Sequence, residues 1–316
     1  MIDLAMLGVG GGMPLPGRYL SASLLNFKGR KILIDCGEGT QVSMRELGWG
    51  FKSIDIICIT HAHGDHTVGI PGLLATIGNS GRETPLTIIG PVGIKDIIKG
   101  LRVIAPYLPY EINILEANNS KFKFAIENGE LNLIENNKNC FEPLEISTKT
   151  LDHSTECIGY SFNVKRTPKF DLDKAIKNNV PKPLWGKLQK GNSIEFDGII
   201  YTPDLVLGQD RKGLKLSYIT DTRAIPEISD FIKDSDLFVC EGTYGDDKDI
   251  EKAIQNKHMT FREAASLAQN GNVEELLLTH FSPAMPNPSL FIQNALEIFK
   301  NTVIGEAHLI KKLIFK

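Results

Sequence analysis

A series of short apolar segments, rich in β-branched residues and spread over the whole chain, constrains the fold most. Such segments are typical of β-strands, and they are IDLAML, SASLLNF, KILID, IDIICIT, LTII, LEISTKT, IGYSFNV, LKLSYIT, DLFVC and ELLLT, beginning at Ile2, Ser21, Lys31, Ile54, Leu86, Leu144, Ile158, Leu214, Asp236 and Glu275. Segments with helical periodicity lie among them, and these are GTQVSMREL, HTVGIPGLLATIG, DDKDIEKAIQ, TFREAASLAQNG and PSLFIQNALEIF. No internal repeat or Ser/Gly-rich linker interrupts the pattern. The sequence therefore predicts one domain over residues 1–316, of α/β or α+β class.

Two arrangements fit this alternation: a doubly wound parallel sheet, and a two-sheet sandwich with helices on both outer faces. The segment SASLLNFKGRKILIDC, with Lys28 and Gly29 at a tight turn, favours an antiparallel hairpin. We therefore predict the sandwich, an α+β fold. Thr260 and Glu263 also predict a capping box at the start of TFREAASLAQNG.

The composition excludes several classes of protein. No run approaches the roughly 18 apolar residues of a membrane span, and the N-terminus MIDLAMLGVGGG lacks the features of a secretory signal. Five scattered cysteines without a CxxC suggest neither a disulfide framework nor a thiolate zinc site, and they are Cys36, Cys58, Cys140, Cys157 and Cys240. The net charge of −3 and the pI of about 6.2 argue against a uniformly basic nucleic-acid binder. We expect a cytoplasmic protein with no membrane partner and no DNA partner.

The densest cluster of potential metal ligands is THAHGDH, where His61, His63, Asp65 and His66 directly follow the strand IDIICIT. Alternate residues of an extended segment point the same way, so His61 and His63 can bind one cation. The turn at Gly64 lets Asp65 and His66 face a neighbouring position. One short segment can thus serve two metal ions. The alternative is that three of the seven histidines lie together on the surface by chance.

Three further candidates follow predicted strands: His153 after LEISTKT, Asp221 after LKLSYIT and His280 after ELLLT. A single residue of this kind more often forms a turn or a cap, but strand ends converge into a crevice. The predicted site has His61, His63 and His153 on one cation, Asp65, His66 and His280 on the other, and Asp221 between them. We expect His308 to be structural and Asp35 to shape a turn.

Imidazole and carboxylate ligands without thiolates suit zinc first, with manganese or iron as alternatives. We therefore predict two zinc ions per chain. Two cations roughly 3.5–4 Å apart lower the pKa of a shared water from about 15.7 towards about 7 and neutralise charge on a substrate oxygen. The site predicts a hydrolase.

THAHGDH, together with LIDCGEGTQ before it and SYITDTR after it, resembles the metallo-β-lactamase superfamily and, within it, the ribonuclease Z family of endonucleases that trim tRNA 3′ trailers. The resemblance covers nearly the whole chain. It implies a four-layer αββα sandwich that commonly dimerises, the same seven ligands for two zinc ions, a bridging role for Asp221, and Asp65 as a proton acceptor. CEGTYGD and KHMTFREAA also resemble the family's pair of Glu241 and His258 near the scissile bond.

Phosphodiester chemistry gives this pair a role. Breaking the bond expels an alkoxide, and a histidine that a nearby carboxylate keeps protonated can donate the proton that the 3′ oxygen needs. The alternative is that His258 merely caps the FREAA helix.

The segment from Lys165 to Lys190 carries a net charge of +6 and contains Trp185 as a stacking surface. A solvated lysine face explains such a cluster equally well. FDLDKAIKNNVPKPLWGKL and TPDLVLGQDRKG, however, resemble the protruding arm with which the family holds the folded part of tRNA. We therefore predict an inserted arm over 165–205, and the expected substrate contacts are Lys165, Arg166, Lys182, Trp185 and Lys187, with Arg18 in the N-terminal loop MPLPGRYLS.

The leading hypothesis is a zinc-dependent endoribonuclease that removes the 3′ trailer of precursor tRNA, leaves a 3′-hydroxyl and acts as a homodimer. An enzymatic alternative keeps the metal site but hydrolyses small diesters such as cyclic nucleotides, and then the arm is dispensable. A third hypothesis is a noncatalytic, metal-stabilised RNA-binding module. Structural zinc sites usually have four protein ligands each, so seven ligands for two ions favour catalysis.

Overall fold

Two large mixed β-sheets form the centre of the structure, a computed structural model that describes residues 1–135 and 142–316. The strands of the first sheet are β1 (Ile2–Gly8), β2 (Ala22–Phe27), β3 (Arg30–Ile34), β4 (Ile54–Cys58), β5 (Leu86–Pro91), β6 (Ile112–Ala117) and β17 (Ile310–Leu313). Their order is β17-β1-β2-β3-β4-β5-β6. Pairing is antiparallel from β17 to β3 and parallel from β3 to β6.

The second sheet repeats this division. Its strands are β7 (Lys121–Glu127), β8 (Glu130–Ile134), β9 (Leu144–Thr150), β10 (Ile158–Arg166), β13 (Arg211–Ile219), β14 (Leu237–Glu241), β15 (Leu276–Thr279) and β16 (Thr302–Ile304). Their order is β16-β15-β14-β13-β10-β9-β7-β8, antiparallel from β8 to β13 and parallel from β13 to β16. A separate hairpin joins β11 (Ile194–Phe196) and β12 (Ile199–Tyr201).

The helices cover the outer faces of the two sheets or lie in the segment between β10 and β13. They are α1 (Thr40–Leu47), α2 (Gly64–Thr67), α3 (Ile70–Asn79), α4 (Ile94–Leu101), α5 (Leu172–Lys177), α6 (Trp185–Gln189), α7 (Glu227–Ile232), α8 (Ile250–Asn256), α9 (Phe261–Asn270) and α10 (Ile292–Leu296). In the part of the chain that the structure describes, no helix has the length and apolar character needed to cross a bilayer.

Alternation of side chains along the first sheet separates two apolar layers. In β3, Ile32 and Ile34 belong to the core between the sheets, whereas Leu33 packs in the core under α1, α3 and α4. On the other side, α7 and α9 pack against the second sheet. The predicted α+β sandwich with four layers is confirmed.

Each strand predicted from the sequence coincides with a strand of one of the two sheets. The hairpin is also confirmed, since Lys28 and Gly29 take positive φ angles of 53° and 87° between antiparallel β2 and β3. The capping box of Thr260 and Glu263 is present at the start of α9. Both sheets are mixed, however: three of the six strand pairings in the first sheet and three of the seven in the second are parallel.

Three helix predictions were wrong in extent. The helix predicted over DDKDIEKAIQ begins only at Ile250 as α8, after a 3₁₀ turn over Asp247–Asp249. HTVGIPGLLATIG forms two helices, α2 and α3, because Pro71 lies in the first turn of α3 and cannot donate a hydrogen bond to an earlier turn. The helix predicted over PSLFIQNALEIF is only α10, preceded by a 3₁₀ turn over Pro288–Phe291.

The segment between β10 and β13 has a small core of its own. Phe170 pairs with Leu207 at its base, and the buried residues inside it are Ala175, Val180, Leu184, Leu188 and Val206. It contains α5, α6 and the β11–β12 hairpin. We keep the predicted bounds and call residues 165–205 the arm, although Lys165 and Arg166 are the last residues of β10 and the core residue Val206 lies just beyond these bounds.

The cysteines are consistent with the expectation from the sequence. Cys36, Cys58, Cys157 and Cys240 are buried free thiols, and burial raises the pKa of each. Cys140 lies outside the described residues.

Candidate metal centre and active site

The seven predicted metal ligands meet at one edge of the sandwich. The ends of four strands bring them there: β4 precedes His61, β9 precedes His153, β13 precedes Asp221 and β15 precedes His280. Asp221 and His280 take positive φ angles of 50° and 58°, which turn the chain sharply at the strand ends. The ligand atoms form two groups that share Asp221.

The first group contains His61, His63, His153 and one oxygen of Asp221. His63 Nδ1 lies 3.0 Å from His61 Nε2 and 3.2 Å from His153 Nε2. Asp221 Oδ2 lies 3.6 Å from His61 Nε2 and 3.9 Å from His153 Nε2. Three nitrogens and a carboxylate oxygen therefore surround one position.

The second group contains Asp65, His66, His280 and the other oxygen of Asp221. The Nε2 atoms of His66 and His280 are 3.2 Å apart. Asp65 Oδ2 lies 3.6 Å from the former and 3.4 Å from the latter. Asp221 Oδ1 lies 3.4 and 3.2 Å from the same two nitrogens. The two oxygens of Asp221 thus face different groups, which is the arrangement of a bridging carboxylate.

Outer hydrogen bonds fix the orientation of four imidazoles. The Nδ1 contacts are His61 with Thr60 Oγ1 (3.1 Å), His66 with Asp35 Oδ2 (2.8 Å), His153 with the Lys257 carbonyl (3.2 Å) and His280 with Thr243 Oγ1 (3.1 Å). A carbonyl or carboxylate can only accept, and each threonine hydroxyl donates its own proton to a carboxylate. Each Nδ1 therefore carries a proton, and each Nε2 presents a lone pair to its group.

These groups fit divalent cations. Facing lone pairs about 3 Å apart repel each other, and a cation between them turns the repulsion into coordination. The nitrogen and oxygen donors, without thiolate, suit zinc, manganese or iron.

The ionisation states of the ligands agree with this fit. Burial, followed by repulsion from His66, holds the pKa of His61 well below its usual value. Burial also lowers the pKa of His153, against the attraction of Asp221. Although burial acts in the opposite direction, the neighbouring imidazoles lower the pKa values of Asp65 and Asp221. His61 and His153 are therefore neutral donors and Asp65 and Asp221 are ionised. At His66, burial is outweighed by Asp221 and Asp35, which raise the pKa of this imidazole well above its usual value.

Asp35 has a role that the sequence did not reveal. It does shape a turn, with a φ angle of 58°, and it is completely buried. Its carboxylate also accepts hydrogen bonds from His66 Nδ1, from the Thr60 backbone N–H (2.8 Å) and from the Thr60 hydroxyl (2.9 Å). Asp35 thus orients His66 directly and His61 through Thr60. The signal was a carboxylate at the end of the apolar strand KILID.

Glu241 and His258 lie beside the second group. Glu241 is completely buried, and its Oε1 is 3.2 Å from His258 Nδ1. Glu241 also accepts hydrogen bonds from the backbone N–H groups of Thr222 (2.7 Å) and Met259 (3.1 Å) and from the Thr243 hydroxyl (2.6 Å). Burial opposes protonation of His258, but Glu241 outweighs it and raises the pKa of His258 to about 9. The pair therefore presents a protonated imidazole to the site.

A glycine-rich loop closes the opposite side of the second group. The Gly12 N–H donates to Asp65 Oδ2 at 2.7 Å. A β-carbon at Gly11 would lie 2.4 Å from His280 Cε1, so only glycine fits there. A cavity of about 490 Å³ lies over both groups, and residues on its rim include Ser154, Tyr244, Asn256, Lys257 and Pro283.

Arg18 lies near this edge but is already bound. Its guanidinium donates to the carbonyls of Met285 (3.0 Å) and Pro286 (2.7 Å). It thereby ties the N-terminal loop to the loop after His280. His308, expected to be structural, lies 3.0 Å from the Ser43 hydroxyl.

The arm residues lie at the other end of the second sheet. Strand β13 runs from the base of the arm towards Asp221, and its nine residues span about 30 Å. Lys165 pairs with Glu145 at 3.2 Å, and Arg166 contacts the Lys316 carbonyl. Lys182 and Lys187 are exposed. The structure therefore does not bring these residues to the metal centre of their own chain.

Trp185 belongs to the core of the arm. Its ring centroid is 5.1 Å from that of Phe170, and its indole N–H donates to the Val180 carbonyl at 2.9 Å. The ring is half-buried, so its main role is to stabilise the arm, and only part of it is accessible to a ligand.

Similar proteins agree with this architecture. The crystal structure of human tRNase Z, short form, aligns with a TM-score of 0.67 over 99% of this chain and 100% of that chain, at 22% identity. The metallo-β-lactamase fold protein YhfI from Bacillus subtilis aligns with a TM-score of 0.67 over the same shares, at 17% identity. A family model described as "Anti-Pycsar protein Apyc1" matches residues 2–97. The two sheets, with their ligand groups at one edge, define a protein of the metallo-β-lactamase fold.

The sequence places the chain more narrowly within that class. A ribonuclease Z from Clostridium botulinum is 59% identical over 315 residues, which cover 100% of this chain and 99% of the relative. The chain belongs to the ribonuclease Z family.

Proposed function

We propose that the chain is a metal-dependent endoribonuclease that hydrolyses the phosphodiester at the 3′ end of precursor tRNA. The reaction adds water across the P–O3′ bond, leaves a 3′-hydroxyl on the tRNA and releases the trailer with a 5′-phosphate. The observation that carries the proposal is the pair of ligand groups sharing Asp221, with the Glu241–His258 pair beside them.

Two cations, zinc by preference, are proposed for these groups. His61, His63 and His153 would hold one ion, Asp65, His66 and His280 would hold the other, and the two oxygens of Asp221 would be shared between them. When bound, such ions acidify water to near neutral pH and neutralise charge on the phosphate.

Asp65 is proposed as the proton acceptor for the attacking water. Its carboxylate is ionised, partly open to the cavity and oriented by the Gly12 N–H. A general base must lie within hydrogen-bond reach of the proton that it removes. The second oxygen of Asp65, Oδ1, is the atom available for this transfer.

His258 is proposed as the proton donor to the leaving group. Its Nδ1 is engaged by Glu241, so Nε2 carries the proton that moves to the 3′ oxygen as the P–O3′ bond breaks. Its ring lies 5.2 Å from His153 and 5.4 Å from His280 by centroids, between the two ligand groups. A positioned acid of this kind contributes typically about 10²- to 10⁴-fold.

The arm is proposed to hold the folded part of the tRNA through phosphate contacts, which position RNA without reading its sequence. The phosphate contacts proposed are Lys165, Arg166, Lys182 and Lys187. The accessible part of the Trp185 ring is proposed as a stacking surface, and Arg18 lies near the proposed cleavage site. About 30 Å separates the base of the arm from the metal centre of the same chain. A homodimer in which the arm of one protomer serves its partner is therefore part of the proposal. A cytoplasmic location is also part of the proposal, because the four buried free thiols suit a reducing compartment.

Cleavage of a 3′-extended tRNA transcript, mapped to the nucleotide, tests the function. We expect one cut after the unpaired nucleotide that follows the acceptor stem, and loss of the cut in Asp65→Ala. Asp236→Asn is the matched control, because Asp236 binds the Lys215 backbone N–H at the opposite edge of the sheet. Hydrolysis of cyclic nucleotides without tRNA cleavage would favour the small-diester hypothesis, and RNA binding without hydrolysis would favour the noncatalytic module.

A further inference from the structure

Arg223 lies two residues after the shared ligand Asp221 and contacts three separate segments around the site. Its backbone N–H donates to the Asp152 carbonyl at 3.1 Å, next to His153. One guanidinium nitrogen donates to the His258 carbonyl, and the fork binds both oxygens of Glu263. The side chain is 18% exposed, so these contacts are largely shielded from solvent.

Glu263 connects this fork to the helix that follows His258. Its Oε2 accepts the Thr260 backbone N–H at 2.9 Å as part of the capping box of α9. The guanidinium of Arg223 therefore holds the start of α9 and the His258 carbonyl together. A planar fork with fixed donors suits this double contact, which an ammonium group cannot reproduce.

The chain around His258 is otherwise short and strained. Lys257 takes a φ angle of 56°, an uncommon conformation for a residue with a β-carbon. The Met259 backbone N–H is held by Glu241 at 3.1 Å. His258 thus lies on a four-residue connection between α8 and α9, where Glu241 contacts its ring and Arg223 contacts its backbone carbonyl.

We propose that Arg223 is a positioning residue for His258: its fork fixes the backbone that carries the imidazole relative to the two ligand groups. The inference rests on the proposed role of His258 as proton donor. Without the contacts of Arg223, the ring keeps its partner Glu241 but is no longer held in line with the 3′ oxygen. This misalignment slows the proton-transfer step without removing any ligand of the cations.

Leaving-group dependence separates this role from a general structural one. Cleavage of precursor tRNA expels an alkoxide that needs a proton, whereas bis(p-nitrophenyl) phosphate expels a stabilised phenolate that does not. For Arg223→Ala we expect kcat on precursor tRNA to fall about 10- to 100-fold, part of the 10²- to 10⁴-fold effect of a positioned acid. We expect turnover of the aryl diester within about threefold of the native value and zinc content per chain unchanged by elemental analysis. Arg223→Lys should recover only part of the loss.

A neighbouring arginine provides the matched control. Arg262 precedes Glu263 and pairs with Asp247 (2.6 Å) and Glu297 (2.7 Å) on the outer side of α9. Arg262→Ala should leave both substrates unaffected.

The double variant Arg223→Ala/His258→Ala decides whether the effect passes through His258. If it does, the double variant is as slow on precursor tRNA as His258→Ala alone, because effects that act through one group do not add. An additional loss, an equal loss on both substrates or a loss of zinc would overturn the inference and assign Arg223 to the support of the ligand groups. If His258→Ala by itself cleaves precursor tRNA normally, the proposed proton donor is wrong, and that failure is visible without any Arg223 variant.

Discussion

Replacing Asp35 by asparagine tests how far the metal centre depends on residues that do not touch the cations. Asparagine keeps the size of the side chain and tolerates the positive φ angle of 58°. Its amide group, however, puts a donor where one carboxylate oxygen now accepts from His66 Nδ1 or from Thr60. If the amide nitrogen faces His66 Nδ1, His66 loses the partner that fixes its tautomer. If it faces the Thr60 N–H, a buried backbone donor loses its acceptor beside the same imidazole.

The expected size of the effect follows from the place of Asp35, which contacts the ligand His66 and is not itself a metal ligand. Loss of an outer-shell partner typically costs about 10- to 100-fold in metal affinity, which corresponds to about 1.4–2.7 kcal/mol. The loss should fall on the second group, because His66 is a member of it. We expect one zinc equivalent to bind about 10- to 100-fold more weakly and the other to change less than about threefold.

Competition with a chromophoric chelator measures the affinity of the protein for each of the two zinc equivalents. Asp236→Asn serves as the control, because Asp236 also accepts a backbone N–H (2.7 Å) but lies far from the ligands. Native zinc affinity at both equivalents in folded Asp35→Asn protein would refute the reasoning and reduce Asp35 to a turn former.

Three further changes probe other parts of the site. In Glu241→Gln, the pKa of His258 should fall below about 9, because the carboxylate that raises it most is gone, burial still lowers it, and only the smaller effects of Asp221 and Asp65 remain. Since the raised pKa keeps His258 protonated below it, the alkaline limb of kcat/KM on precursor tRNA should move to lower pH, and an unmoved limb would count against this pair. Residues 171–206 can be replaced by a short linker between Phe170 and Leu207, which already pair. This deletion should abolish precursor tRNA cleavage, while the rate of bis(p-nitrophenyl) phosphate hydrolysis stays within about threefold of the native rate. A native rate of tRNA cleavage in the deletion variant would show that the arm does not bind the substrate. Gly11→Ala should weaken the second zinc equivalent in the chelator assay, because its β-carbon would contact His280, and native affinity would contradict the close fit.

The convergence of the seven candidate ligands was predictable because it follows from local rules. A cluster such as His61–His66 lies within a few residues directly after an apolar strand, so it can be recognised from a short stretch of sequence. The second rule is that the strand ends of one sheet meet at one edge. Those rules also led to His153 and His280, although 127 residues separate the two along the chain.

The outer contacts could not be predicted in this way. Asp35 and His66 are 31 residues apart, and their 2.8 Å contact depends on how β3 and β4 pair side by side. Thr60 and Thr243 are common residue types that carry no motif of their own. Such partners become visible only when the chain is folded.

The arm shows a different reason for incomplete prediction. Its lysines dominate the sequence pattern, so Trp185 was taken for an exposed stacking surface. The apolar residues between the lysines, such as Val180 and Leu188, instead form a small core in which the Trp185 ring packs on Phe170. Weak periodicity in short helices hides such a core. Strands β6, β7 and β8 were missed because they are partly exposed and carry charged residues.

Titration of metal-free protein with zinc, followed by cleavage of a 3′-extended tRNA, tests the paired ligand groups most directly. The chelated protein should be inactive, and activity should rise to a plateau at two equivalents of zinc per chain. Full cleavage by metal-free protein, or a plateau reached without a second equivalent, would contradict the shared use of Asp221 by two cations.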